Sequence, residues 1–145
     1  MQSARVDDTL TVAYQIEPAD VDAIRAAGFV AIINNRPEGE APDQPGGHEI
    51  EAAATAAGLA YTALPLGRDG IRPELIDGFR QAMDAAGGPV FAFCRTGTRS
   101  INLWALSQAG RRDASEIVGL AADAGYDLTG LVPMLQQLAG SRAGG

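Results

Sequence analysis

The chain has 145 residues, of which 46% are hydrophobic and 20% charged, a composition typical of a single globular domain that buries its own core. Eleven basic residues against eighteen acidic ones give a net charge of −7, which argues against nonspecific binding to nucleic acid or to an anionic membrane. A single cysteine rules out an internal disulfide. Because the chain also has only one histidine, it offers too few cysteine and histidine ligands for a zinc site. Nothing in the sequence indicates a metal or an organic cofactor.

The first half of the chain predicts strands that alternate with helices. Residues 10–15 favour a strand, and a short helix then opens at Pro18 and ends before Gly28. The apolar run at 29–33 is typical of a strand buried on both faces, and the segment 34–47 is rich in turn formers and predicts a long loop. A helix at 48–57, a strand at 59–66 and a loop at 67–72 follow.

The second half continues the same alternation. A helix opens at Pro73 and ends at the glycine pair 87–88, and the apolar run at 90–93 predicts another buried strand. Three further helices are predicted from about Arg99 to Gly110, at 114–124 and at 128–139. Strands alternating with helices predict an α/β fold with a mainly parallel central sheet flanked by helices.

We expect residues 1–145 to form one domain, with a core at about 10–139 and a frayed tail at 140–145. The first ten residues hold no apolar core, and no apolar run approaches about 18 residues, so we expect a cytoplasmic protein that neither enters nor binds a membrane. The sequence does not indicate the oligomeric state.

Ligands of open α/β sheets bind beyond the carboxyl ends of the parallel strands. Five polar or reactive residues lie in the segments that follow three predicted strands, so we expect the loops that hold them to converge on one rim. These residues are Asn35, Arg36, Arg68, Asp69 and Cys94.

The segment from Cys94 to Arg99, CRTGTR, joins a buried strand to a helix. Unpaired backbone N–H groups at a helix N-terminus can surround an anion, and Gly97 permits the close backbone approach that this requires. The helix dipole and a nearby guanidinium favour a thiolate at Cys94, the nucleophilic form of cysteine. Arg99 can hold two oxygens of an oxyanion at once.

The remaining side chains of this loop complete the predicted anion site. Thr98 and Ser100 offer hydroxyl donors to the thiolate or the leaving group, and Arg95 and Thr96 supply further donors. A lone cysteine at the end of a strand is more often a buried small hydrophobe. The ordered set of strand, glycine, arginine and helix favours a nucleophile instead.

Two residues outside this segment carry alternative interpretations. Asp69 is a candidate general acid, although an aspartate before Gly70 is equally typical of a turn. Arg36 can supply positive charge to the anion site, or it can brace the Cys94 loop through a carboxylate such as Glu38 or Glu40. Farther along the chain, Trp104 is expected in the core and Tyr126 is a candidate hydrogen-bond donor to a loop; those two positions carry no catalytic prediction.

Five segments together resemble one protein family. They are AYQIEPADVDAIRAAGF (13–29), IINNRPEGE (32–40), LAYTALPL (59–66), CRTGTRSINLWAL (94–106) and AGYDLTGL (124–131). The pattern is similar to the phosphatase-like domain of beta-lactamase-hydrolase-like proteins and covers roughly residues 10–139. The resemblance implies a dual-specificity-phosphatase-like α/β fold, Cys94 as nucleophile and Arg99 as the anion-binding arginine.

The loop length disagrees with this resemblance. Tyrosine phosphatases have five residues between the cysteine and the arginine, whereas this chain has four, so Ser100 stands at the expected arginine position. A loop of the shorter length resembles that of rhodaneses, which carry a sulfane sulfur on the cysteine as a persulfide.

Three hypotheses therefore stay open. The first is a cysteine-dependent phosphatase-like hydrolase that forms a thiophosphoryl intermediate on Cys94. The second is a rhodanese-like sulfurtransferase, which would not need Asp69, and the third is a noncatalytic anion-binding module. The expected partner is a small anionic substrate, either a phosphate ester or a sulfane-sulfur donor.

Overall fold

The computed structural model describes residues 1–144. One five-stranded sheet with the strand order β1-β2-β5-β3-β4 forms the centre of the fold. The strands are β1 (Ser3–Arg5), β2 (Leu10–Ala13), β3 (Ala31–Asn34), β4 (Ala60–Ala63) and β5 (Val90–Phe93). β1 pairs with β2 in antiparallel fashion and all other pairings are parallel, which confirms the predicted mainly parallel sheet.

Six helices flank this sheet in the described part of the chain. They are α1 (Val21–Ala26), α2 (Gly47–Ala56), α3 (Pro73–Ala86), α4 (Thr98–Gln108), α5 (Ala114–Asp123) and α6 (Val132–Gly144). Short 3-10 turns lead into α1 and α6. No helix among the described residues is long and apolar enough to cross a bilayer.

The two faces of the sheet bury two separate apolar cores. Alternate side chains of a strand point to opposite faces. Phe91 and Phe93 of β5 therefore pack with α1 and α2, whereas Val90 and Ala92 pack with α3 to α6. Trp104 of α4 is fully buried in the second core, as predicted from the sequence.

The N-terminal strand and the length of the last helix were not predicted. β1 has only three residues, too few to show a periodic pattern in the sequence, so only its pairing with β2 makes it a strand. The last helix continues to Gly144, through most of the segment expected to fray; Gly145 lies outside the described residues. Arg142 anchors this extension because its Nη1 donates to the carbonyls of Leu106 and Ser107 at the end of α4.

The strand predicted at 59–66 is also shorter in the structure. The regular strand ends at Ala63. Beyond it, the amide of Leu64 donates to the backbone carbonyl of Asn34 at 2.9 Å, and the amide of Leu66 donates to the backbone carbonyl of Asn35 at 3.0 Å. The chain after β4 is therefore held alongside the chain after β3.

Candidate active site

The register of the parallel strands brings their carboxyl ends to one edge of the sheet. Ala13 lies beside Phe93, Phe93 beside Asn34, and Asn34 beside Ala63. The next residues of all four strands therefore leave the sheet at the same level, and the loops predicted to converge do so.

Cys94 occupies the centre of this edge. It directly follows the last residue of β5 and is fully buried, and its amide donates to the carbonyl of Ala13 at 3.3 Å. Its Sγ accepts a hydrogen bond of 3.1 Å from the amide of Gly97. The thiol thus lies at the N-terminus of α4, where backbone N–H groups and the helix dipole favour negative charge.

Position 97 requires glycine for two reasons, the backbone conformation and the lack of space for a side chain. Its φ of +83° lies in the left-handed region that side chains with a Cβ rarely adopt. A Cβ there would collide with the hydroxyl of Tyr126 and lie 3.6 Å from Cγ2 of Val12. The Tyr126 hydroxyl donates to the carbonyl of Thr96 at 2.8 Å, as the sequence suggested, and burial raises the pKa of this phenol. Tyr126 therefore stabilises the turn of the Cys94 loop at Thr96 and Gly97.

Arg99 is held by two residues from outside the Cys94 loop. Its Nη1 donates to Oε2 of Glu40 at 2.7 Å and to the carbonyl of Leu66 at 3.1 Å, and its Nη2 donates to Oε1 of Glu40 at 2.9 Å. A guanidinium has five N–H donors, so these bonds leave the Nε–H and one Nη2–H. One edge of Arg99 is thereby fixed by protein and the other is left for a ligand.

Glu40 also binds Arg36, so a single carboxylate joins two guanidiniums. Arg36 is only 7% exposed, and it donates through Nε to Glu40 at 2.9 Å and through Nη1 to Oε1 of Gln15 at 3.1 Å. The hydrogen bond from Arg99, with that from Arg36 adding to it, lowers the pKa of Glu40 from its ordinary value of 4.5 to about 2. The bracing role suggested for Arg36 through a nearby glutamate is the arrangement that the structure contains.

The same contacts affect the pKa of Arg99. The hydrogen bond with Glu40 raises the pKa of Arg99, and the nearby Cys94 raises it further. Arg99 is therefore charged throughout the accessible pH range, and its guanidinium can attract an anion that lies near Cys94.

The remaining predicted residues lie in different environments. Arg95 and Thr98 are exposed, and the hydroxyls of Thr96 and Thr98 lie 3.2 Å apart. Ser100, which holds the expected arginine position by residue count, is fully buried, and its hydroxyl has no hydrogen-bond partner among the described residues. Arg99, and not the residue at that position, reaches the pocket.

Asp69 lies in the loop between β4 and α3. It is exposed and belongs to a turn closed by a 3.1 Å hydrogen bond from the amide of Gly70 to the carbonyl of Gly67. Gly67 and Arg68 line the pocket, whereas Asp69 is not among its lining residues. Its turn role is therefore present, and a catalytic role remains a prediction.

A cavity of about 580 Å³ opens in front of this cluster. Ten residues from three loops line it: Arg36, Pro37, Glu38, Gly39, Glu40, Ala41, Gly67, Arg68, Arg95 and Arg99. Four arginines against two glutamates give this cavity a positively charged lining in a chain of net charge −7. The sequence predicted Arg68 at this edge of the sheet but gave it no role. It named Glu40 only as one of two carboxylates that could bind Arg36.

A larger cavity of about 900 Å³ lies elsewhere, lined by residues of α3, of the segment from Gly110 to Glu116 and of α6. Three of its four arginines are engaged: Arg111 forms a two-point pair with Asp84, Arg112 pairs with Asp7, and Arg142 caps the end of α4. None of its lining residues follows the carboxyl end of a parallel strand, so the chemistry is assigned to the smaller cavity.

Several known proteins are similar to this chain in sequence and in fold. The family model for the phosphatase-like domain of beta-lactamase hydrolase-like proteins matches residues 4–111. The beta-lactamase hydrolase-like protein of Agrobacterium fabrum is 40% identical over 139 residues, which cover 94% of this chain and 32% of that protein. The chain therefore spans about a third of the length of the curated relatives it matches.

Solved structures agree. A candidate phosphatase from Neisseria meningitidis is 31% identical with a TM-score of 0.79, and the match covers 93% of this chain and 96% of that one. PTPMT1 in complex with PI(5)P has a TM-score of 0.75 at 14% identity, over 99% of this chain and 98% of that one. At that identity the second match shows the fold alone, and it confirms the predicted phosphatase-like α/β fold.

Proposed function

This chain belongs to the family of phosphatase-like domains of beta-lactamase hydrolase-like proteins, and from that premise we propose that it hydrolyses a phosphate ester through a thiophosphoryl intermediate on Cys94. One observation carries the proposal: Glu40 holds Arg99 beside the thiol with one guanidinium edge left for a ligand. That edge and the amides of the Cys94 loop are the donors that a transferring phosphoryl group requires.

In the first step the Cys94 thiolate attacks phosphorus and the bond from phosphorus to the ester oxygen breaks. The leaving oxygen takes its electron pair and a proton from Asp69, the proposed general acid. Arg99 and the loop amides hold the other phosphoryl oxygens as charge shifts among them. Asp69 is exposed and directly follows Arg68, a lining residue of the cavity, which supports this assignment.

In the second step a water molecule attacks phosphorus and the S–P bond breaks. Inorganic phosphate leaves, Cys94 returns to the thiolate, and the carboxylate of Asp69 accepts the proton of the water. No oxidant or reductant takes part. Arg95 lines the cavity that the substrate would enter, and Thr96 and Thr98 belong to the same loop. Arg36 would act chiefly through its bond with Glu40.

A rhodanese-like sulfurtransferase is the second candidate, and the four-residue spacing between Cys94 and Arg99 favours it. The Cys94 thiolate would attack the sulfane sulfur of a donor such as thiosulfate, the S–S bond of the donor would break, and sulfite would leave. Cyanide would then remove the sulfur as thiocyanate and restore the thiol. This route uses Arg99 and the loop amides but no general acid.

A paired assay on the wild type and on Cys94→Ser tests the proposal. We expect p-nitrophenyl phosphate to be hydrolysed by the wild type only, and thiosulfate with cyanide to give no thiocyanate above the variant. Thiocyanate formation without phosphate release favours the sulfurtransferase. Failure of both reactions, with anions still bound in the pocket, leaves the noncatalytic anion-binding module.

A further inference from the structure

The outer part of the 580 Å³ cavity carries positive charge that the reacting group does not need. Arg68, from the loop after β4, and Arg95, from the Cys94 loop, are both exposed and both line this cavity. Neither forms an ion pair or a side-chain hydrogen bond with any described residue. Two arginines from different loops thus contribute positive charge to the same cavity.

The inner part of the cavity is, by contrast, internally compensated. Glu40 pairs with both Arg36 and Arg99 by contacts of 2.7 to 2.9 Å, and together with Glu38 it sets two negative charges against the two positive ones. The surplus of positive charge therefore lies on the outer pair. In a chain of net charge −7, two such unpaired neighbours favour an external anion.

The size and lining of the cavity indicate what kind of molecule brings this anion. A volume of about 580 Å³ lies in the range of sites for whole small molecules, well above that of a single phosphate group. The only apolar side chains among the ten lining residues are Pro37 and Ala41, and no aromatic ring lines the space. Such a wall suits a strongly polar ligand better than an aromatic one.

We propose that the substrate is a small phosphate ester that carries a second anionic group, a phosphate or a carboxylate, which Arg68 and Arg95 bind. The reacting phosphate then occupies the loop of Cys94 with Arg99, and the second anion lies toward the opening of the cavity. This inference rests on the proposed function, because it takes the inner site as the place of reaction. Arg68 and Arg95 act as specificity-determining residues.

A matched set of phosphate esters tests the inference. Glycerol 3-phosphate carries one anionic group, 3-phosphoglycerate adds a carboxylate, and 2,3-bisphosphoglycerate adds a carboxylate and a phosphate. The kcat/KM of phosphate release is measured for the three esters with the wild type, Arg68→Gln, Arg95→Gln, the double variant and Arg25→Gln. Arg25 is an exposed arginine of α1 outside the cavity, so its variant controls for loss of charge alone.

We expect the wild type to prefer the two multiply anionic esters over glycerol 3-phosphate by about tenfold or more, and each single variant to lower that ratio about fivefold. The double variant removes the preference, Arg25→Gln retains it, and added salt weakens it in the wild type. Equal rates on all three esters, or a preference that survives in the double variant, would overturn the inference while leaving the proposed function in place.

Binding to the Cys94→Ser protein separates the two claims when no ester is hydrolysed. Calorimetric titration with 2,3-bisphosphoglycerate and glycerol 3-phosphate then measures the same ratio without turnover. A preference that depends on Arg68 and Arg95 retains the ligand class and refutes only the phosphatase chemistry. Absence of both hydrolysis and binding refutes both.

Discussion

Glu40 and Arg99 form a two-point ion pair, with contacts of 2.7 and 2.9 Å, although 59 residues separate them in the chain. Both oxygens of the carboxylate and both Nη atoms of the guanidinium take part, which fixes the plane of Arg99. The pair orients the remaining donors of Arg99, so we expect Glu40 to act as a positioning residue through Arg99.

The first prediction concerns Glu40→Gln. Without the carboxylate, Arg99 is no longer held in one plane, and we expect kcat to fall by about tenfold to a hundredfold because a small misplacement of a catalytic group is costly. The KM should not rise, since the uncompensated guanidiniums still attract an anion. Steady-state kinetics on p-nitrophenyl phosphate measures the two constants separately.

The control for this variant is Glu51→Gln, which removes an exposed carboxylate of α2 and should change neither constant. An unchanged kcat together with a lower KM in Glu40→Gln would show that Glu40 competes with the substrate for Arg99. That result would contradict the positioning role.

The second prediction concerns stability at low pH. Because the pKa of Glu40 is lowered to about 2 in the folded protein, the unfolded chain binds more protons between about pH 4.5 and pH 2. Stability contributed by Glu40 is therefore complete above pH 4.5 and is lost as the pH falls through 2. With about 30% of this side chain exposed to solvent, which screens the pair, we expect about 2 kcal/mol.

Urea unfolding of the wild type and Glu40→Gln from pH 7 down to pH 2 measures this contribution. The difference in the free energy of unfolding should shrink as the pH drops below 4.5 and approach zero near pH 2. A difference that is constant over this range would mean that the ion pair does not stabilise the fold.

The third prediction separates backbone strain from crowding at Gly97. Gly97→Ala places a methyl group against Tyr126 at a φ of +83°, whereas Gly58→Ala has a φ of +80° with no atom within 4 Å of the new methyl group. We expect Gly58→Ala to cost about 1 kcal/mol of stability and no activity. Gly97→Ala should cost more and lower kcat/KM by about a hundredfold, because the Cys94 loop must shift.

Combining Gly97→Ala with Tyr126→Phe tests the cause. The phenylalanine removes the hydroxyl that the methyl group meets, so part of the lost stability should return. Equal losses of stability in Gly97→Ala and Gly58→Ala would show that the Tyr126 contact is unimportant.

The fourth prediction concerns Asp69. If Asp69 protonates the leaving group, Asp69→Asn should lower kcat about a hundredfold for alkyl phosphates, whose alkoxide leaves poorly, and much less for p-nitrophenyl phosphate. Asp22→Asn, an exposed change on α1, is the matched control. Equal effects of Asp69→Asn on both substrates would rule out a general acid at this position and leave Asp69 with its turn alone.

The sequence predicted the fold well because its strong signals are local. Buried parallel strands are continuous apolar runs, as at 90–93, and glycines end the helices at Gly28, Gly58 and Gly87 with positive φ. β1 escaped prediction because three residues at the sheet edge carry no periodic pattern, and only its partner strand defines it.

The candidate site was predicted only in part, for a physical reason. Strand, glycine, arginine and helix follow one another without interruption between Val90 and Gln108, so the Cys94 loop was visible in the sequence. The pairing of Glu40 with Arg99 depends on the strand order β5-β3-β4, which brings distant loops together and which no local pattern encodes. The sequence predicted Arg99 as the anion-binding arginine and Ser100 as a further donor; in the structure Arg99 lines the pocket and Ser100 is buried.

The chemistry on Cys94 is the central claim, and the mass of the trapped enzyme tests it most directly. The protein is mixed with p-nitrophenyl phosphate, or separately with thiosulfate, quenched within one turnover and analysed intact. We predict a phosphoryl adduct of about 80 Da on the wild type with the phosphate ester, and none on Cys94→Ser or Cys94→Ala. An adduct of about 32 Da with thiosulfate, and none with the ester, would show a persulfide on Cys94 and contradict the account.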